Sequence, residues 1–435
     1  MATIDVWSEA RAWAEAADAA DPLAHLRNRF QIPRGAGGEA VYGCSHSLGL
    51  APRAAAEYVR AVLDTWGEAA VEGHFSGSLP WAEYAVPLER AVARLCGAQP
   101  HEVAVMNSLT VNLHLMLATF YRPTRERHQI LIERPAFPSD RYAVVSHLGW
   151  HGYDPGEALI QVGPRPGEAA LRPEDLLEAI GRAGERLALV LLGGVNYYTG
   201  QVFDLAACAR AAHAVGAMAG FDLAHAIGNV PVALNAGGAG EAANGADFAV
   251  WCGYKYLCGG PGAPGGCFVA ARHGAAAEPL ARLAGWWGNR ADTRFEMREA
   301  FEPAAGAAGW QVSSPSLLSL AGLRAGLDAY DAAPAAARLR KSQAMVAGFG
   351  RWADALVPGL RSITPASSNG AAPNARGAQW SLDLGAAAMR TQQQLRVSGI
   401  YSDVRGPILR LSFHPLYNRY ADVIATLDAF HRCQG

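Results

Sequence analysis

Across residues 103–269 the chain alternates short apolar runs with longer amphipathic ones, and this alternation constrains the fold more than any other feature. EVAVMNS, QILIERP, RLALVLLGGVN, GAMAGFDLAH, ADFAVWCG and GGCFVAA predict buried strands. TVNLHLMLATFYR, RPEDLLEAIGRAG and DLAACARAAHAVG predict helices. Such a succession predicts an α/β fold, with an open, mostly parallel sheet and helices on both faces. From about Leu327 the pattern changes. DAYDAAPAAARLRKSQAMVAGFGRWADALV predicts helix with a kink or restart at Pro334. AQWSLDLG, GIYSDVRG and PILRLSFHP predict strands, and NRYADVIATLDAFHRC a closing helix, which together make a smaller α+β domain. Residues 365–377 predict a loop.

The 435 residues suffice for two domains and a large buried core. The expected division is 1–70 as an N-terminal segment packing with the small domain, 71–325 as the large domain and 326–435 as the small one. A net charge of −2 with no basic block argues against a nucleic-acid surface. No run of 18 strongly apolar residues predicts a membrane span, and the acidic N-terminus reads as a helix and not as a signal peptide. The seven cysteines are odd in number and scattered, with no zinc spacing, so no metal is expected. They predict free thiols of a cytoplasmic protein.

Two chemistries compete for the segment WCGYKYLCGGPGAPGG, residues 251–266. Its GPGAPG matches the G-x-G-x-x-G dinucleotide pattern, but CFVAAR after it predicts a strand, where the pattern needs a helix. Pro261 and Pro264 also remove backbone donors from a loop that would have to offer them. A tight turn back into the sheet is the better reading. The alternative centre is Lys255, which follows an apolar strand and sits between two tyrosines. Desolvation there would favour the neutral amine, although lysines after strands often merely snorkel. Asp222 ends an apolar strand upstream, and strand C-termini are where α/β proteins bind ligands. A helix N-cap would account for Asp222 alone. A strand-end aspartate for a pyridinium nitrogen and a strand-end lysine for an aldehyde form the pattern that pyridoxal 5′-phosphate (PLP) requires.

FDLAHAIGN, WCGYKYLCGGPG, AFPSD, VNYYTGQ, SLTVNLH, GWWGN and HPLYN together resemble kynureninase, in order from about Asp21 to the C-terminal helix. The resemblance implies the fold-type I PLP-dependent transferase-like architecture and a homodimer with shared active sites. It implies hydrolysis of L-kynurenine, 3-hydroxykynurenine or a ring-modified kynurenine to the corresponding anthranilate and L-alanine, the chemistry of tryptophan catabolism and NAD biosynthesis. By this resemblance Lys255 carries the cofactor and removes the substrate Cα proton, and Asp222 keeps the ring nitrogen protonated. Phe137 stacks on the ring, Asp140 lies near its polar edge and His225 near its phenolic oxygen. Leu109 and Thr110 hold the phosphate at a helix start. Tyr254 reaches the phosphate and supplies a proton during C–C cleavage. Trp286 and Ser314 match positions that reach the phosphate from the neighbouring subunit. Arg410 looks like the clamp for the substrate α-carboxylate, a task that suits a planar two-point donor.

Departures from the family pattern fall near the substrate ring or the dimer rim. The family's G-N-S-L-G is Ser45-His46-Ser47-Leu48-Gly49, GWFGH ends in Asn289, Ser314 precedes Pro315, and R-G-S-H is Arg376-Gly377-Ala378-Gln379. Ser47, Asn289 and His74 are therefore the expected substrate contacts, with His74 facing the aryl group. Two other readings remain open on sequence: a cysteine desulfurase-like enzyme, which needs a nucleophilic cysteine on a small-domain loop, and a cofactor-less scaffold.

Overall fold

Seven strands build the central sheet of the computed structural model, which describes residues 5–35, 38–235, 245–274, 280–365 and 375–434. In chain order they are β1 (Val103–Ala104), β2 (Gln129–Glu133), β3 (Leu159–Val162), β4 (Leu187–Gly193), β5 (Met218–Asp222), β6 (Phe248–Trp251) and β7 (Gly266–Val269). Their spatial order is β1-β7-β6-β5-β4-β2-β3. Strands β6 to β3 run parallel, and β7 is antiparallel to both of its neighbours.

Alternate residues of each strand enter opposite cores. Leu131, Val190, Leu192, Phe221, Ala249 and Trp251 pack on one side. Ile130, Ile132, Leu189, Leu191, Phe248 and Val250 pack on the other. This explains the unbroken apolar runs in the sequence: a sheet covered on both faces has no solvent side for polar residues to mark. Gly220 is required by the same packing, because a Cβ there would lie 2.1 Å from the Phe248 ring on β6.

All six predicted strands and the three predicted helices of this region are present, the helices as Leu109–Phe120, Pro173–Ala183 and Leu205–Ala214. The chain adds an edge strand, β3, with no fully buried residue, and a helix Pro138–Trp150 between β2 and β3. Downstream, Pro334 restarts the chain as expected: one helix spans Leu317–Asp331 and the next spans Ala335–Leu356 with Pro334 as its N-cap. A second sheet has β8 (Gln379–Asp383), β9 (Asp403–Arg405) and β10 (Ile408–Ser412) in the antiparallel order β8-β10-β9. Most of the loop expected at 365–377 lies outside the described residues.

The N-terminal helix Val6–Ala19 shares an apolar cluster with helices Ala335–Leu356 and Tyr420–Gln434. Val41 and Tyr42 pair in parallel with Ile400 and Tyr401, and Cys44 bridges to Ser412. These pairings bring residues 44–49 beside β10. From there Gly49 donates its N–H to the Tyr254 carbonyl at 2.8 Å, and a Cβ on Gly49 would lie 2.4 Å from the Lys255 carbonyl oxygen. His414 ties the same loop to the C-terminal region. Its Nε2 lies 3.0 Å from the Tyr256 carbonyl and 2.8 Å from the Tyr330 hydroxyl, and its ring stacks on Tyr417 at 4.5 Å.

Candidate active site

The C-terminal ends of the parallel strands place the site. In register, Gly193 at the end of β4 lies beside Asp222 at the end of β5, and Asp222 lies beside Val250 of β6. Glu133 ends β2 and accepts the Gly193 N–H at 3.2 Å. Lys255 follows β6 by four residues. These ends, with the starts of helices Leu109–Phe120 and Pro138–Trp150, enclose a cleft of about 490 Å³.

Eight sequence-predicted residues line this cleft. Lys255, Asp222, Tyr254 and His225 come from the strand ends and the turns after them; Leu109, Thr110, Phe137 and Asp140 come from the two helix starts. Leu109 and Thr110 are the first two residues of a helix whose N-cap, Ser108, makes no side-chain cap bond. First-turn N–H groups have no intrahelical acceptor, so they face the cleft as anion donors. The Thr110 hydroxyl is 2.8 Å from the Ser139 hydroxyl.

The electrostatics centre on buried carboxyl groups. Burial, then the charge and hydrogen bond of Asp222, push Asp140 well above the usual carboxylate range. Burial also raises Asp222, opposed by the hydrogen bond from Asp140 and the charge of Lys255. Glu133 is raised to about 7 by burial. Asp222 Oδ1 accepts the Ala224 N–H at 2.7 Å, so the capping role is real, but it caps a turn and not a helix. Asp140 Oδ1 and His225 Nδ1 are buried with no hydrogen-bond partner. Burial holds His225 neutral, well below the usual imidazole range.

These observations test the fit of the expected cofactor. A buried carboxylate pair with orphaned polar atoms is costly by itself and calls for a cationic partner. A protonated pyridine nitrogen supplies that cation. Phe137, 41% exposed at the cleft and edge-on to Tyr197 at 5.3 Å, offers a free aromatic face. Lys255 Nζ lies 5.7 Å from the Phe137 ring centroid. The residues present fit PLP.

The other predicted residues lie outside the cleft lining. Arg410 is buried behind Tyr197, whose carbonyl accepts from its Nη1 at 2.7 Å. Ser47 is half-buried in the turn after Cys44. His74 packs edge-on against Trp81 at 5.1 Å and donates from Nδ1 to the Val71 carbonyl at 3.1 Å. Asn289 uses its side-chain oxygen on the Glu302 N–H. Trp286 donates to the Arg294 carbonyl, and Ser314 is exposed. An aromatic chain joins two of these regions: Phe75, next to His74, meets Phe295 at 5.2 Å, and Phe295 meets Trp286 at 5.4 Å. Sequence reasoning missed Glu133, Ser139 and Tyr197. Glu133 was visible as the single charge ending the apolar run QILIE, and Ser139 and Tyr197 lie inside motifs already quoted.

Fold and site define a fold-type I PLP-dependent enzyme. Solved structures share the architecture: the cysteine desulfurase CsdA from Escherichia coli has a TM-score of 0.74 at 18% identity, covering 95% of this chain and 98% of its own. A C-DES mutant with glycine covalently linked to the PLP cofactor has a TM-score of 0.73 at 17% identity, covering 90% and 96%. At such identities the likeness speaks for fold alone.

Sequence comparison is more specific. Residues 339–430 match the family model of the kynureninase C-terminal domain. The kynureninase of Xanthomonas euvesicatoria pv. vesicatoria (strain 85-10) is 48% identical over 418 residues, 95% of this chain and 96% of the relative. That of Myxococcus xanthus (strain DK1622) is 45% identical over 437 residues, 99% and 100% of the two chains. The chain belongs to the kynureninase family.

Proposed function

We propose that this enzyme uses PLP to hydrolyse the Cβ–Cγ bond of L-kynurenine or a ring-modified kynurenine, giving the corresponding anthranilate and L-alanine. The observation that carries the reading is the buried Asp140–Asp222 pair facing Lys255 in one cleft. Bound PLP supplies an electron sink for the breaking bond. Lys255 anchors it and moves the proton at the substrate Cα. Asp222 keeps the ring nitrogen protonated, and Asp140, holding its own proton, donates to Asp222. Thr110 and the N–H groups of residues 109 and 110 hold the phosphate. Tyr254, whose phenol burial raises above the usual range, keeps its proton for delivery to the departing carbon. Arg410 binds the α-carboxylate.

Turnover of kynurenine, 3-hydroxykynurenine and ring-methylated analogues by the PLP-loaded enzyme, followed as kcat/KM, tests this. Activity on at least one is the expected result, and the ranking identifies the ring substituent. Equal inactivity on all three overturns the hydrolase reading. The cysteine desulfurase reading finds little support. Cys433 sits on the C-terminal helix against an apolar cluster, with its thiol pushed up by burial.

The same reading makes the enzyme a homodimer, in which Trp286 and Ser314 complete the neighbouring site and His74 and Asn289 approach its aryl end. Location outside the cleft of their own chain is what such a role requires. Co-expressed Lys255→Ala and Trp286→Ala chains are expected to form mixed dimers with one intact site. Their kynurenine turnover should exceed that of both parents severalfold. A mixture no more active than its parents contradicts the shared site. Among the described residues no helix is long and apolar enough to cross a membrane. The seven free cysteines suit the cytoplasm. The division 1–70, 71–325 and 326–435 remains the proposed domain plan.

A further inference from the structure

His46 occupies the position where the family pattern has asparagine, and the structure buries it against the carboxylate clamp. Asp403 on β9 and Arg410 on β10 are directly opposed residues of an antiparallel pair, so their side chains share a face. Asp403 takes one edge of the guanidinium, with Nε to Oδ1 at 2.8 Å and Nη2 to Oδ2 at 2.6 Å. Nη1 donates to the Tyr197 carbonyl. Three of the five guanidinium donors are thereby committed, and two remain, one on each terminal nitrogen. His46 Nε2 lies 3.1 Å from Asp403 Oδ1, and its Nδ1 lies 3.0 Å from the Ser412 hydroxyl. The Ser412 oxygen also accepts the His46 backbone N–H at 3.2 Å. The Asp403 carboxylate can only accept, so Nε2 of the neutral ring carries the proton and Nδ1 takes that of the Ser412 hydroxyl. That fixes the tautomer: Nδ1 accepts, and Nε2–H donates to Asp403.

We propose that His46 and Asp403 are positioning residues for the substrate carboxylate, acting as a chain Ser412–His46–Asp403 that holds Arg410 with its two remaining donors free. The inference rests on the reading of Arg410 as the carboxylate clamp. A free arginine side chain has several rotatable bonds, and fixing its planar head before substrate arrives lowers the cost of binding. The charges permit a second carboxylate. Arg405 Nη2 lies 3.3 Å from Asp403 Oδ2, so Asp403, Arg405 and Arg410 sum to one positive charge, with Lys255 nearby. The other groups facing the chain are Cys44, Tyr256 and His225. Cys44, raised to about 12 by burial, stays neutral. Burial, then Arg410, lowers His46 to about 4, so the chain keeps one protonation state at neutral pH.

Affinities of the PLP-loaded enzyme for L-alanine and for ethylamine, read from the visible cofactor band, separate carboxylate recognition from amine binding without turnover. Asp403→Asn is expected to weaken L-alanine about tenfold or more, leave ethylamine within twofold, and raise KM for kynurenine with kcat within about threefold. His46→Ala should move the same quantities less. His46→Gln, whose side-chain amide can stand in for Nε2–H, should restore them. Adding His46→Ala to Asp403→Asn should cost nothing more. Equal losses for L-alanine and ethylamine, or none in either variant, overturn the proposal. If Asp403→Asn does not fold, the contrast between His46→Ala and His46→Gln decides. Wild-type enzyme that favours L-alanine over ethylamine yet leaves kynurenine intact would sink the hydrolase reading and leave the clamp standing.

Discussion

Lys255→Ala abolishes kynurenine turnover, with an expected loss on the order of 10⁵–10⁶ in kcat, the scale on which removing a covalent-catalysis residue acts. Lys255 is the cleft's only lysine among the described residues, and the other groups lining it are carboxyls, hydroxyls, an imidazole and apolar surface. Asp222 and Asp140 do not form the C=N bond that links an aldehyde cofactor, and His225 has no primary amine; it is buried and neutral with an unpartnered Nδ1. The variant should lose the visible band of the lysine-linked cofactor and release PLP on dialysis. Its thermal midpoint without cofactor should fall only slightly, because Lys255 is half-buried and its charge offsets only part of the burial cost of Asp222. A variant that keeps both band and turnover would remove Lys255 from the chemistry and favour a scaffold or a different lysine.

The sequence carried the sheet because burial on both faces writes strands as apolar runs that no helix of that length would need. It carried the pair Asp222 and Lys255 because both sit at the ends of such runs, where a charge is conspicuous. Other parts left weaker marks. β3, LIQV, is an edge strand with one exposed residue and three half-buried ones, so its pattern is short and ambiguous. The helix Pro138–Trp150 has its apolar residues spread around the axis and reads as neither face nor core. The partnership of His46 with Asp403 spans 357 positions and depends on the N-terminal segment pairing beside β10, which no local pattern announces. HPLYN was legible as a motif but not as a clasp: its histidine bonds the Tyr256 carbonyl next to Lys255, a contact only the fold creates.

Asp222→Asn should separate catalysis from stability, moving them in opposite directions. Catalytically, an amide cannot hold a ring nitrogen in its protonated form, and the loss expected for removing such preorganised charge is on the order of 10³ in kcat. In the cofactor-free protein the same carboxylate is a burden, since burial outweighs what Asp140 and Lys255 return. Both carboxyl groups have folded pKa values raised above their unfolded ones. Their contribution to stability is therefore full below about pH 4, the unfolded carboxylate value, and is lost as pH rises through the raised folded values. Asparagine has no proton to lose. Cofactor-free Asp222→Asn should therefore melt higher than cofactor-free wild type at pH 8, by about 1–2 °C for a gain of one or two kcal/mol. The gap should close as pH falls toward 4. PLP should raise the midpoint of wild type more than that of the variant, because only wild type gains an ion pair on loading. Thermal melts of both proteins, with and without PLP across that pH range, check each part. A variant less stable than wild type at pH 8 without cofactor would mean that Lys255 already neutralises Asp222, and that the cation missing from the buried pair is the lysine itself.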